Sequence, residues 1–328
     1  MQELNYLKDK VITPGAAPFV SHATYPVNDG HADLWLYDIF PGVQLMVTDF
    51  ACETCFQEGV EQDVIGIHHC ARGRFECVFD HWNYVYMGEG DIALNSMLHP
   101  PIGASFPLKD YFGSTIILYP KTCDDVPELA GLGISAREIF RKYSLAEHCR
   151  VFRRNEAVEH VYRELYGNLA KPQLTFLRLK LLELLYHIQA DQTVFEENCG
   201  YLPKALTEKI KHVKDHMLQN EDGRISLKEL AAEHEISLTQ LKAGFKQIYG
   251  ETPYAYLRSY KMHCASQRLF GDRSPDWRNC FGTGVSESQQ ICPGIPCDCR
   301  LHSGPVPERQ EKQISAFSNI PPDRGIFF

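Results

Sequence analysis

Between Ala32 and Leu118 apolar residues come in short alternating or continuous runs: LWLYDIF, VQLMVTDF, DVIGIHHC, RFECVFD, NYVYMG, DIALNS and STIILYP. Turn-forming PG, RG, GEG and PP pairs separate them, and this period of two with frequent breaks predicts β-strands rather than helices. Seven such strands predict a small antiparallel barrel or sandwich, cupin-like in outline. From about Val126 to Ala190 the period lengthens to that of helices, with three candidates and a proline break at Pro172. In the last of them Leu174, Leu177, Leu181, Leu184 and Ile188 repeat at heptad a and d spacing. Such a stripe packs either on its own domain or on a second copy of the chain. The first half is therefore read as one domain over residues 1–195, followed by a linker at 196–204.

The pattern changes again after residue 204. Ser226, followed by Glu229 and then Leu230 and Ala231, has the form of a capping box before an apolar stripe, so a helix starts there. It stops near Glu235, and Ser237 caps a second helix whose Leu238, Leu241, Phe245 and Ile248 fall on one face. A turn this short forces two helices to cross sharply, as in a helix-turn-helix. Thr239, Gln240, Lys242 and Lys246 point away from the apolar stripe, and with Ser237 at the helix start they form the expected DNA-binding set. Hydroxyl, amide and ammonium groups near a helix N-terminus are what reading base edges in the major groove requires. A plain helical hairpin with a solvated face has the same spacing.

Charge supports the first reading. Net charge is −9, yet residues 1–203 hold 16 Lys+Arg against 27 Asp+Glu, residues 204–273 hold 12 against 9, and residues 274–328 hold 5 against 6. Only the helical segment is basic, and phosphate contacts need local positive charge rather than a basic chain.

The ordered series Ser226, Leu230, Ala231, Ile236, Ser237, Leu241, Phe245, Lys246, Gly250, Thr252, Pro253, Tyr256, Leu257 and Ala265 resembles the first helix-turn-helix and linker helix of the AraC/XylS family of transcription regulators. The resemblance implies an α+β fold, with an N-terminal β-barrel or sandwich and a helical dimerisation segment ahead of an all-α DNA-binding domain at 205–273. It also implies promoter DNA, a small-molecule effector and a homodimer as partners. The LKAGF string at 241–245 resembles the branch that controls siderophore and iron uptake, which would make the effector a siderophore. Ala243 departs from the arginine many members carry there, so contact with DNA should be poorer at that point.

The family fold needs a second helix-turn-helix, and residues 274–328 do not spell one: Gly, Pro and Cys break every helical period. Reading each codon one nucleotide later turns Asp276–Cys280 into IGEIA, Glu287–Ile295 into NPSKFARAF and Arg300–Pro307 into GYTP-x-QYR, which resemble the missing unit in order and spacing. A frameshift near Gly271–Pro275 is thus the expectation, with a disordered tail in which Cys280, Cys292, Cys297 and Cys299 carry no chemistry and with impaired DNA binding.

Twelve cysteines without an export signal suggest free thiols, and no apolar run reaches the roughly eighteen residues of a membrane span, so a cytoplasmic location is expected. Cys52 and Cys55 form a C-x-x-C, and His68, His69 and Cys70 follow. Neighbours on a strand point to opposite faces, so no metal is expected there. Trp82, Tyr84 and Tyr86 share one strand face and either line an effector pocket or fill a packed interior. A cupin-type metalloenzyme would have to use Glu76, His81 and His99, a poor set of ligands. With no nucleophile beside a base and no phosphate-binding glycine loop, neither catalysis nor a cofactor is expected. A pure interaction protein is the remaining alternative.

Overall fold

The computed structural model describes residues 12–261 apart from 29, 56–60, 80–82, 146–148, 155, 191–200 and 220–225. The expectations for the 274–328 tail, for most of the linker, and for His81, Trp82 and Ala265 lie outside the described residues. The chain divides into two compact units, one running to Tyr201 and the other starting at Leu202.

The first unit mixes sheet and helix. Its strands are β1 (Ile12–Pro14), β2 (Val20–Thr24), β3 (His31–Phe40), β4 (Val43–Ala51), β5 (Ile65–Gly73), β6 (Phe75–Val78), β7 (Asn83–Met87), β8 (Ile92–Ser96), β9 (Gly103–Ser105), β10 (Tyr111–Leu118) and β11 (Arg150–Phe152). All seven sequence-predicted strands are present, as β3 to β8 and β10. A large antiparallel sheet has the order β1-β2-β3-β4-β10-β5-β8-β11, and β7, β6 and β9 form a second, smaller antiparallel sheet.

Side-chain alternation assigns the two faces of the large sheet to different tasks. Leu45 and Val47 of β4, Ile65 and Ile67 of β5, Ile92 and Leu94 of β8, and Ile116 and Leu118 of β10 share one buried cluster with the helices. Their neighbours Met46, Thr48, Gly66, His68, Ala93, Asn95, Thr115 and Ile117 line a cavity. The helices are α1 (Pro120–Cys123), α2 (Pro127–Gly131), α3 (Ala136–Lys142), α4 (Glu156–Asn168) and α5 (Leu174–Ala190).

The heptad stripe of α5 is consumed inside its own unit. Leu177, Leu181, Leu184 and Ile188 are fully buried in the cluster they share with the sheet and α4, and Leu174 packs against it. An intermolecular pairing through this stripe is therefore corrected, because each of its leucines already has its apolar partners. The outer face of the same helix leaves Leu179 and Tyr186 61% and 54% exposed.

After an extended start through Pro203, the described residues of the second unit form helices: α6 (Lys204–Gln219), α7 (Leu227–Glu233), α8 (Leu238–Tyr249) and a further helical run over residues 253–261. Thr207, Ile210, Val213 and Met217 are the buried face of α6. Among the described residues no helix is long and apolar enough to cross a membrane.

Candidate nucleic-acid interface and ligand cavity

In the helical unit the Ser226 hydroxyl accepts from the Glu229 backbone N–H at 3.3 Å, which starts α7. The helix closes through His234, and Glu235 takes a left-handed φ of 54° while the Ile236 N–H donates to the Ala231 carbonyl at 2.9 Å. Only the turn through Ser237 separates α7 from α8, which is the connection length of a helix-turn-helix. Leu227, Leu230 and Ala231 of α7 and Leu241, Gly244, Phe245, Ile248 and Tyr249 of α8 are buried. Gly244 is where α6 comes close: a Cβ there would lie 2.3 Å from Ile210 Cδ1. Gly250 ends α8, and Phe245 and Tyr249 stand 5.5 and 5.1 Å, ring to ring, from Tyr256 of the next helical run. Most of the positions that carry the family resemblance thus have packing or capping roles.

The five residues expected at DNA separate into two groups. Ser237 and Gln240 form the complete capping box of the unit: the Ser237 hydroxyl accepts from the Gln240 N–H at 3.1 Å, and the Ser237 N–H donates to Gln240 Oε1 at 3.0 Å. Sequence reasoning looked for that box at Ser226 and Glu229, where the serine half is in place, and missed the same S-x-x-Q signature at 237–240. Thr239, Lys242 and Lys246 are exposed, with Ala243 between them. Their spacing of three, four and seven residues makes one continuous stripe on the face opposite the buried one.

In the first unit the two sheets enclose a cavity of about 200 Å³. Its wall is largely apolar and aromatic, including Leu34, Phe50, Phe75, Val85, Met87, Phe106 and Tyr111. Among the described residues no Lys, Arg, Asp or Glu lines it. Its polar lining consists of Tyr25, Thr48, Gln62, Tyr111 and a hydrogen-bonded group around His68. Its Nε2 lies 2.7 Å from Asn95 Oδ1 and its Nδ1 lies 3.0 Å from Thr115 Oγ1. An amide oxygen can only accept, so Nε2 carries the proton, and Nδ1 accepts from the threonine hydroxyl. Burial pushes the His68 pKa down, against the Asn95 bond that raises it, and the ring is neutral. Gly66 makes room for this pair, since a Cβ there would lie 2.7 Å from both His68 Nε2 and Asn95 Oδ1. The Asn95 amide nitrogen has Met97 Sδ, 3.9 Å away, as its partner.

His69 faces the opposite way, as strand geometry demands. Its ring stacks on Tyr162 at 3.8 Å and its Nδ1 lies 2.9 Å from the Tyr166 hydroxyl, both on α4. Burial lowers its pKa as well. Adjacent histidines thus serve separate faces, and among the described residues no group of three or more His, Cys, Asp or Glu is placed to hold a metal ion. Glu76, from the weak metal set, accepts from the Tyr86 and Ser105 hydroxyls, while His99 is exposed.

The aromatic face of β7 does not line the cavity: Val85 and Met87 do, while Tyr84 and Tyr86 stack on each other. Of the two readings open for Tyr84 and Tyr86, the pocket-lining one does not hold. Tyr86 is buried where its hydroxyl finds the Glu76 carboxylate, which selects the other face of the strand for the cavity.

No protein-family model and no curated protein matches the chain. Among solved structures, ToxT from Vibrio cholerae is similar at 9% identity over 76% of this chain and 92% of its own, with a TM-score of 0.32. The AraC-like transcriptional activator CuxR aligns at 13% identity over 82% of this chain and 92% of its own, with a TM-score of 0.26. ToxT bound to an unsaturated fatty acid gives 9% identity, 76% and 88% coverage, and a TM-score of 0.25. These scores are too low to carry function across, so it has to be read from the chain's own residues.

Proposed function

We propose that the chain is a sequence-specific DNA-binding transcription regulator of the AraC/XylS kind, which responds to a small molecule held in the cavity of its first unit. The observation that carries this reading is the pair α7 and α8, joined by a short turn and both capped by serine, with Thr239, Lys242 and Lys246 exposed as one stripe. A helix held by its buried face and free on the other is the geometry of major-groove recognition. Ser237 and Gln240, themselves exposed, serve that interface by fixing the start of α8, while Thr239, Lys242 and Lys246 meet the DNA. Ala243 leaves a gap in the stripe, so affinity from this unit is modest. The frameshift reading of residues 274–328 makes the binding weaker still, and the nucleotide sequence across codons 265–310 tests it directly. A homodimer through α5 would have to use the outer face at Leu179 and Tyr186.

Selection of duplex DNA from a random-sequence pool by the full chain, at two salt concentrations, tests the function. Enrichment of a common motif is expected, with K242A and K246A each reducing the salt slope by about one phosphate contact. Recovery of only random sequences, with a slope unchanged in both variants, overturns the proposal in favour of an interaction protein.

A further inference from the structure

The Proposed function leaves the ligand open, and the cavity wall narrows it. We infer that the cavity selects an uncharged, mainly apolar molecule of about eight to ten non-hydrogen atoms that carries one hydrogen-bond-accepting oxygen, a ketone or alcohol, received by the amide of Asn95. This rests on reading the cavity as the effector site.

Three observations lead there. The first is size: the cavity measures about 200 Å³. An apolar protein cavity of roughly 150 Å³ holds benzene, so this one takes a molecule slightly larger. The siderophore suggested by the 241–245 resemblance would need a far wider and more polar recess.

The second is charge. Among the described residues the lining contains no Lys, Arg, Asp or Glu. The cavity imidazole has both nitrogens engaged, one by Asn95 and one by Thr115. A ligand carboxylate would leave water with no cation to meet it, and a ligand ammonium would find no anion. An ion desolvated without a partner is strongly disfavoured. The three lining thiols do not change this, because Cys55, Cys77 and Cys149 are free cysteines set among apolar neighbours.

The third is the position of the donor. The oxygen of the Asn95 amide is held by His68, and Thr115 turns its hydroxyl proton toward the same ring, so both orient inward on the protein. The Asn95 N–H group is left facing a thioether sulfur at 3.9 Å, a weak acceptor. A ligand oxygen at that point gives the amide a strong partner. Sites that recognise a polar group this way reject analogues lacking it, because a buried donor is otherwise poorly satisfied.

The test uses an eight-carbon series on the full chain: 2-octanone, 1-octanol, octanoate, octylammonium and n-octane, measured by titration calorimetry and ligand-observed NMR at neutral pH. The ketone and alcohol are expected to bind at least 30-fold more tightly than octanoate or octylammonium. Asn95→Leu should weaken the ketone about tenfold or more and leave n-octane within threefold, and Ala104→Phe, which fills the cavity, should abolish both. Octanoate or octylammonium binding as well as the ketone overturns the inference, as does a failure of every compound to bind, or an unchanged ketone affinity in Asn95→Leu. DNA binding is measured in the same samples. If the ketone binds as expected but never alters DNA affinity, the ligand class stands and the effector reading falls; if a charged ligand alters DNA affinity, the effector reading stands and the ligand class falls.

Discussion

The packing of α8 on α6 turns on one missing methyl group. Gly244 is buried mid-helix, where glycine normally costs about 1 kcal/mol relative to alanine. On propensity alone Gly244→Ala would stabilise the helical unit by that amount. The added Cβ, however, would sit 2.3 Å from Ile210 Cδ1, more than 1 Å inside ordinary carbon–carbon contact. The clashing atom is the far end of the Ile210 side chain, but that residue is fully buried, so turning the methyl aside means repacking it among its neighbours. Overpacking of this kind costs about 1–3 kcal/mol, and the clash should win by about 1 kcal/mol net. Ile210→Val removes the offending methyl at a cost of about 1 kcal/mol. In the double variant the new Cβ meets Leu202 Cδ2 at 3.8 Å, an ordinary contact, and keeps the gain in helix propensity. Its stability should therefore return to within about 0.5 kcal/mol of the parent, a coupling of about 1.5 kcal/mol or more between two residues that each destabilise alone. Hydrogen–deuterium exchange of the α8 amides in the full chain reads these opening free energies locally. A Gly244→Ala chain more protected than its parent, or a double variant as unstable as the sum of the singles, would refute the close approach.

Other perturbations test the first unit. Leu184→Ala should cost about 2–5 kcal/mol because its side chain is fully buried between sheet and helices, whereas Leu179→Ala, on the exposed face of the same helix, should stay within about 0.5 kcal/mol; equal losses in chemical denaturation would contradict the assignment of faces. Burial holds the folded-state pKa of His68 and His69 below the ordinary 6.5, so below 6.5 the unfolded chain binds protons that the folded chain does not. Their contribution is complete above that value and is lost as pH falls beneath it, by up to about 1.4 kcal/mol per pH unit for each histidine. Thermal unfolding from pH 7.5 to 5 should show the decline, and His69→Gln should flatten it. Gly66→Ala should drive a methyl into the His68–Asn95 pair, and NMR of the His68 ring should report loss of that hydrogen bond.

Much of this architecture was legible in the sequence, and the failures have physical reasons. The seven strands that were found could be found because turn residues bound each apolar run. Strands β1, β2, β9 and β11 escaped because ITP, VSHAT, GAS and RVF hold too few large apolar residues to form a run. Periodicity could not say which face of β4 or β5 meets the helices, because both faces are covered and both are largely apolar, as in VQLMV and IGIHH. Pairing of polar groups decided instead: His68 belongs with Asn95 and Thr115 from β8 and β10, His69 with two tyrosines of α4, and those partners are 27 to 97 residues away. For the same reason the weakly satisfied Asn95 donor in the cavity could not be seen from the sequence.

At α8 the relation is reversed, since everything needed was local and only half of it was read. Ser237 was expected both to cap the helix and, with Gln240, to stand at the DNA, yet a serine followed three residues later by glutamine is the full signature of a helix start. The structure uses both side chains reciprocally, and each bond satisfies a backbone or side-chain group that would otherwise need water. A side chain committed to its own helix end is a poor reader of base edges, because reaching a base would mean first giving up the cap, at about 1 kcal/mol. Under the proposed function, discrimination between sequences by this helix therefore falls to Thr239 and the two lysines. On the proposed reading, a hydroxyl that accepts from or donates to several bases, and lysine ammonium groups without the rigid fork of arginine, give this helix a modest discrimination between sequences.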